Sequence, residues 1–379
     1  MDVISLTRRL LAIKTMNPPG QERACARFLG RLLEKAGFKI WYWDFAEGRT
    51  GLIAWTKRPE RHHICFLGHL DTVPLGTTPW SRDPFSGRIE GDKLYGLGAA
   101  DMKAGVAAFV SAAVRARRAI QGHAGIMLIL TAGEETGCEG ATFLVHILGG
   151  LPPVGALIVA EPTANYPCTA HKGVIWLEAS ASGVAAHGSA PHHGVNAIYK
   201  AIQAIARLQN MTFATPSHPL LGMPTINIGT ITAGTAVNIV PENAMFTIDI
   251  RTIPGQSHSA VCRQVEDCLG TEARISKRRL DCPAIESDPS HPWIQDVFAV
   301  MEPILAARPA CPSSAREPHG MAYFTDASVL RAALGNPPAI ILGPGDPAQV
   351  HKPDEFCLAS NIEAAERAYY QIIMKWSRP

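Results

Sequence analysis

Residues 64–74 read Ile64-Cys65-Phe66-Leu67-Gly68-His69-Leu70-Asp71-Thr72-Val73-Pro74. The apolar, partly β-branched run predicts a buried strand. It stops at Gly68, a histidine, a carboxylate two residues on, and a proline that no central strand tolerates. In open α/β sheets, ligands bind beyond the carboxyl ends of the strands. A His and an Asp at such an edge mark a candidate site, although a turn closed by an Asx bond leaves the same trace.

The pattern recurs. Gly125-Ile126-Met127-Leu128-Ile129-Leu130-Thr131 runs into Ala132-Gly133-Glu134-Glu135, and Ala156-Leu157-Ile158-Val159-Ala160 runs into Glu161-Pro162. Acids leaving three strands would converge on one sheet edge. Adjacent carboxylates do not all ionise cheaply without a cation among them, and a metal is the simplest neutraliser.

Working outward, residues 2–15 and 21–36 carry helical spacing, broken by Asn17-Pro18-Pro19-Gly20. Strands are expected near 38–44 and 51–56, and a small-residue helix at 102–118. Gly96-Leu97-Gly98-Ala99-Ala100-Asp101 precedes that helix. As a dinucleotide fingerprint it fails, because Asp101 would face the pyrophosphate. Tight glycines before an Asp suit a carboxylate aimed at a cation.

After Lys172-Gly173 the texture changes. Val174 to Ala181 alternates apolar and polar, as a strand with one wet face does. A helix near 195–209, strands near 224–232 and 244–251, and a helix near 257–269 follow. This α+β block, 174–287, reads as an insertion between two parts of one domain, 1–173 and 288–379. Helices near 292–307 and 360–375 and a strand at 339–342 complete that domain.

The chain has 379 residues, 18% charged and 47% hydrophobic, with a net charge of +2. This is ordinary globular composition with no global reason for nucleic acid or an acidic membrane surface as partner. The one tight basic run, Lys277-Arg278-Arg279, reads as a solvated face. Met1 to Lys14 lacks the pattern of a signal peptide, and no apolar run reaches transmembrane length. Nine cysteines without a C-x-x-C pair fit a reducing cytoplasm.

A last candidate is His351, in Gly343-Pro344-Gly345-Asp346-Pro347-Ala348-Gln349-Val350-His351-Lys352-Pro353-Asp354-Glu355, after the short strand Ala339-Ile340-Ile341-Leu342. With His69, Asp71, Asp101, Glu134, Glu135 and Glu161, it makes a donor set suited to two zinc-like ions that share a carboxylate.

These motifs, with Ala186-His187-Gly188-Ser189, resemble those of the M20 metallopeptidase family, and within it the branch of acetylornithine deacetylase and succinyl-diaminopimelate desuccinylase. The resemblance covers nearly the whole chain. It implies an α/β fold: a zinc-peptidase-like catalytic domain with a mixed central sheet, plus an inserted lid and dimerisation domain.

It implies two zinc ions, for which cobalt can substitute. His69 and Glu161 would hold one, Glu135 and His351 the other, and Asp101 would bridge them, with a cis bond after it. Asp71 would hydrogen-bond the far nitrogen of His69, and Glu134 would be the general acid and base. His187, reaching a partner subunit's site, would stabilise the oxyanion. Arg251 would grip the substrate's α-carboxylate, and Asn238 would help bind substrate across a homodimer. Thr325-Asp326-Ala327 matches a loop near the acyl end.

The implied activity removes an acyl group, acetyl on this reading, from an N-acyl-amino acid such as N-acetylornithine. Desuccinylation of succinyl-diaminopimelate and carboxypeptidase or dipeptidase action are the alternatives. His171-Lys172-Gly173 stands where desuccinylases tend to have Arg-Arg-Gly, and Ala104 replaces a glycine common after Asp-Met-Lys. The other histidines, including His62, His63, His123 and His146, match no ligand motif.

Overall fold

The computed structural model describes residues 1–56, 62–120, 125–148, 151–307 and 317–378. His123 lies outside them. The chain divides into two compact units: Met1–Ala170 with Glu286–His319 and Thr325–Pro379, and His171–Ile285 with Gly320–Phe324.

The first unit is built on a mixed sheet. Six of its strands, those that position the site, lie in the order Lys39–Ala46, Arg49–Trp55, Gly125–Thr131, His63–His69, Val154–Val159 and Ala339–Ile341. The first two pair antiparallel, and Arg49–Trp55 is antiparallel to Gly125–Thr131. The other neighbours are parallel. His69, Thr131, Val159 and Ile341 therefore end at one edge. The residues that follow them carry the candidate chemistry.

Alternation along the strands decides the packing. Ile64 and Phe66, Ile126 and Leu128, and Ala156 and Ile158 join the core of the helices Ala104–Ala119 and Ala359–Trp376. The intervening Cys65, Leu67, Met127 and Ile129 are buried too. Both sheet faces are covered, so the strands read as continuous apolar runs instead of alternating ones. Phe66 meets Phe109 at 5.8 Å and Tyr369 edge-on at 5.4 Å between ring centroids. Burying each such ring contributes about 1.5–3 kcal/mol.

The Ala104–Ala119 helix sits close to the sheet because of Gly105, where a Cβ would fall 2.3 Å from the carbonyl oxygen of Ala160. The buried Lys103 ammonium donates to the carbonyl oxygens of Leu10 (3.2 Å) and Ile13 (2.7 Å). It adds a side-chain cap to carbonyls at and just beyond the end of the helix Val3–Leu11. The helix starting after Asp101 is thus fixed against both the sheet and the N-terminal helix.

The second unit holds a sheet in the order Thr225–Ala233, Asn243–Thr252, Gly173–Ser182 and Arg274–Cys282, all antiparallel. The helices Ala197–Gln209 and His258–Leu269 bury Ala201, Ala204, Leu208, Val261 and Val265 against Leu177, Phe246 and Ile248. The outer face stays wet, which is why these strands alternate. Among the described residues, no helix is long and apolar enough to cross a membrane.

Candidate metal centre

His69 closes its strand with a fully buried imidazole. Its Nε2 lies 3.0 Å from Asp101 Oδ1 and 3.8 Å from Glu161 Oε1. Asp101 sits in a turn whose peptide to Met102 is cis. Its second oxygen is 3.5 Å from His351 Nε2, and that nitrogen is 3.1 Å from Glu135 Oε2. Two groups of three donors result, His69–Asp101–Glu161 and Asp101–Glu135–His351, each with ligand atoms within 4.8 Å of one another. Asp101 belongs to both. Glu134 is buried beside them and belongs to neither.

The charges explain what this arrangement asks for. Burial pushes the Glu134 and Glu161 carboxyls well above the ordinary range; Glu161 adds to the shift at Glu134, and Asp101 to that at Glu161. Glu135 moves up for the same reasons, burial first and Asp101 second. Asp101 goes the other way: burial works against its charge, but hydrogen bonds from His351 and His69 hold it well below the usual carboxylate range. Hydrogen bonds to Asp101 and Glu135 push the His351 imidazole up to about 10. These are groups competing for too few protons. Neutral imidazoles and carboxylates in two sets sharing one anion fit divalent cations of the zinc type. A cation held there would require the His351 imidazole in its neutral form.

The backbone supports each donor. The Glu355 carboxylate is buried and accepts N–H bonds from Gly98 (2.8 Å), Ala100 (2.7 Å) and Asp101 (3.1 Å). Gly98, at φ +82°, could not carry a side chain, because a Cβ would sit 2.5 Å from Thr72 Cγ2. His351 is half-exposed and itself at φ +60°, a region uncommon for non-glycine residues. Asp354, three residues on, is tied by Ser81, whose N–H and hydroxyl donate at 2.9 and 2.6 Å. The loop that presents His351 is thus held by Asp354 and Glu355.

Asp71 faces His69 Nδ1 with both its main chain and its carboxylate. The nearer acceptor for His69 Nδ1 is the Asp71 main-chain oxygen, at 3.1 Å, while the carboxylate stands at 3.6 Å. The carboxylate is occupied elsewhere: Oδ1 accepts from the N–H groups of Gly133 (2.8 Å) and Glu134 (3.2 Å), and Oδ2 from Glu135 (3.3 Å). Asp71 therefore fixes the turn that carries both glutamates.

Three further residues with sequence-based roles lie in the second unit. His187 and Asn238 are neighbours: Gly188 N–H donates to Asn238 O at 2.7 Å, and His187 bridges Ile239. His187 Nδ1 lies 2.7 Å from Ser189 Oγ and 3.2 Å from the Ser189 N–H, so both contacts hold the ring by one edge. Arg251 turns its fork onto Asp249 of its own strand, at 2.9 and 3.0 Å, with Phe324 stacked 5.6 Å from the guanidinium. Lys172 is spent on the Met223 carbonyl at 2.6 Å. Asn17 and Glu355 had no role in the sequence reading, and the buried Asp326 was placed only in a loop near the acyl end. Asn17 was legible only as the start of a proline break, and Glu355 contacts backbone, for which no residue pattern exists.

Comparison with known proteins identifies the family. The sequence profile described as peptidase family M20/M25/M40 matches residues 65–375. The acetylornithine deacetylase of Proteus mirabilis is 30% identical over 385 residues, spanning 98% of this chain and 95% of that protein. The M20 family metallo-carboxypeptidase Sso-CP2 of Sulfolobus solfataricus superposes with a TM-score of 0.80 at 16% identity, covering 100% of both chains. The YXEP protein of Bacillus subtilis, described as a dinuclear metal-binding peptidase of the M20 family, gives 0.67 at 18% identity, covering 98% and 97%. The profile spans far more than half of the sequence, and the chain belongs to peptidase family M20/M25/M40 as a metal-dependent amide hydrolase.

Proposed function

We propose that the protein removes the acetyl group from an N-acetyl-amino acid of the N-acetylornithine type, with two zinc ions at the shared-carboxylate centre. The observation that carries this is the pair of three-donor groups meeting at Asp101, with a buried glutamate outside both. The similarity to acetylornithine deacetylase along nearly the whole chain favours acetyl as the acyl group. His69, Asp101 and Glu161 would hold one ion, and Asp101, Glu135 and His351 the other. Bound there, the ions would polarise the scissile carbonyl and make water acidic enough to attack at neutral pH.

The side chains do the rest. Glu134 takes the proton of the attacking water and returns it to the departing amine. Its burial and its place outside the ligand groups suit that traffic. His187, reaching the site of a partner subunit, would donate to the oxygen that becomes negative. Buried thiols outside any disulfide, such as Cys25, Cys65 and Cys357, agree with a reducing cytoplasm. The test is a panel of N-acetyl, N-succinyl and peptide substrates with added zinc or cobalt, assayed for free amine. Fastest release from the N-acetyl substrate supports the reading. A preference for succinyl or peptide substrates overturns the acyl choice.

We also propose that substrate's free carboxylate is held by Arg251, which exchanges its internal partner Asp249 for it. A planar fork orients the scissile amide as well as binding it. Arg251→Ala should cost about 2–5 kcal/mol in kcat/KM, as for a charge pair left half made. Wild type should strongly prefer an acyl-amino acid over its C-terminal amide, and the variant should lose most of that preference. Equal discrimination by both would make Arg251 a strand-end residue that serves only Asp249.

Two copies are proposed to join through the second unit. The strand Thr225–Ala233 is an edge of its sheet, and Ile231, Val237, Ile239, Tyr199 and Ile202 are exposed in that unit. A bare edge with apolar neighbours invites pairing. Mixing inactive His187→Ala with inactive Glu134→Ala protein should restore up to one working site per heterodimer. No recovery after demonstrated subunit exchange would exclude catalysis across the dimer.

A further inference from the structure

We infer that Asn17 is a positioning residue for Glu135, and through it for one of the two cations and not the other; the inference rests on the two-cation reading. Asn17 is 3% exposed and lies at the start of the Pro18-Pro19-Gly20 break, far from the catalytic turn in sequence. Its segment is zipped onto the exit of the His63–His69 strand. Thr72 N–H donates to Thr15 O at 3.1 Å, Asn17 N–H to Thr72 O at 2.8 Å, and the Thr15 hydroxyl to Leu70 O at 2.7 Å.

So fixed, the Asn17 amide uses both of its protons, one on the turn that carries the glutamates and one on the carboxylate that holds that turn. Nδ2 donates to Asp71 Oδ2 at 3.0 Å and to Thr136 Oγ1 at 2.9 Å. A carboxylate partner leaves no choice about which end of the amide faces it. The division of labour at Asp71 gives the contact its meaning. Oδ1 serves Gly133 and Glu134, whereas Oδ2 serves Glu135, and Oδ2 is the oxygen that Asn17 holds. Thr136, the other end of the clamp, is the residue after Glu135. Asn17 therefore brackets Glu135 from both sides and leaves Glu134 to Oδ1. Asp71 faces His69 Nδ1 with its main-chain oxygen, at 3.1 Å, and not with the Oδ2 that Asn17 holds, and no hydrogen bond of Asn17 reaches Asp101 or Glu161. Loss of an outer hydrogen bond of this kind loosens a ligand without removing it.

The experiment is a zinc titration of metal-stripped full-length protein, resolving two binding steps. Asn17→Ala should weaken one ion by about 10–100-fold and leave the other within about twofold. Thr136→Val, which removes one arm of the clamp and keeps Asn17, should weaken the same ion by a smaller factor. It decides the matter if Asn17→Ala does not fold. Glu135→Ala should lose that same ion outright, and adding Asn17→Ala to it should leave the affinity of the remaining ion unchanged. A wild type that takes up two ions, with variants that bind both normally or lose both alike, overturns the role of Asn17 alone. A wild type that takes up one ion overturns the two-cation reading and this inference with it.

Discussion

Glu134→Gln should lower kcat by about a hundredfold to ten-thousandfold, the range for a positioned general acid–base, while both cations stay bound and KM moves by less than about threefold. The expectation comes from place and charge together. Glu134 stands outside both donor groups, so its loss removes no ligand. It is buried, and burial followed by the Glu161 charge pushes its carboxyl well up. A buried carboxyl outside the ligand groups keeps its oxygens for accepting a proton and then giving it back. Its backbone N–H is held by Asp71 Oδ1 at 3.2 Å, so the amide of the variant would occupy the same place without a titrating proton. Kinetics and a zinc assay on the same sample separate the roles. If Glu134→Gln lost an ion and Glu135→Gln kept both, the two glutamates would have exchanged places.

Asp101→Ala should weaken both ions by more than about a hundredfold and abolish turnover. Every other donor serves one group of three, and Asp101 serves two. Its oxygens lie 3.0 Å from His69 Nε2 and 3.5 Å from His351 Nε2, and it is the one carboxylate of the set held well below the usual range. Removing it leaves each group of three with two donors. Glu135→Ala is the control and should cost one ion. Zinc content after dialysis reads both. Asp101→Ala that kept one tightly bound ion would mean the carboxylate is not shared.

The strand exits were readable because burial on both sheet faces makes each parallel strand a continuous apolar run, so the first acid after it stands out. That logic found His69, Glu134, Glu135 and Glu161. His351 was harder, because Gly343 to Val350 separates it from the end of its strand and no periodicity spans a loop. What stayed invisible was set by backbone partners. The Asp71 carboxylate contacts three N–H groups of residues 133–135, and Glu355 contacts those of 98, 100 and 101. Neither contact leaves a trace in residue type. The strand Arg274–Cys282 was missed because it is a sheet edge, where charged residues such as Lys277, Arg278 and Arg279 guard against pairing and mimic a loop. Gly320–Phe324 groups with the second unit through long-range pairing, such as Lys172 N–H to Met321 O at 3.0 Å, which sequence order does not announce.

The most direct measurement is the number of zinc ions that metal-stripped protein takes up as its hydrolysis of an N-acetyl-amino acid returns. The expected result is no activity when stripped and full activity at two ions per chain, with Glu134→Gln binding two and staying inactive. Full activity at one ion per chain, or activity that survives complete removal of metal, would contradict a centre built on the shared carboxylate of Asp101.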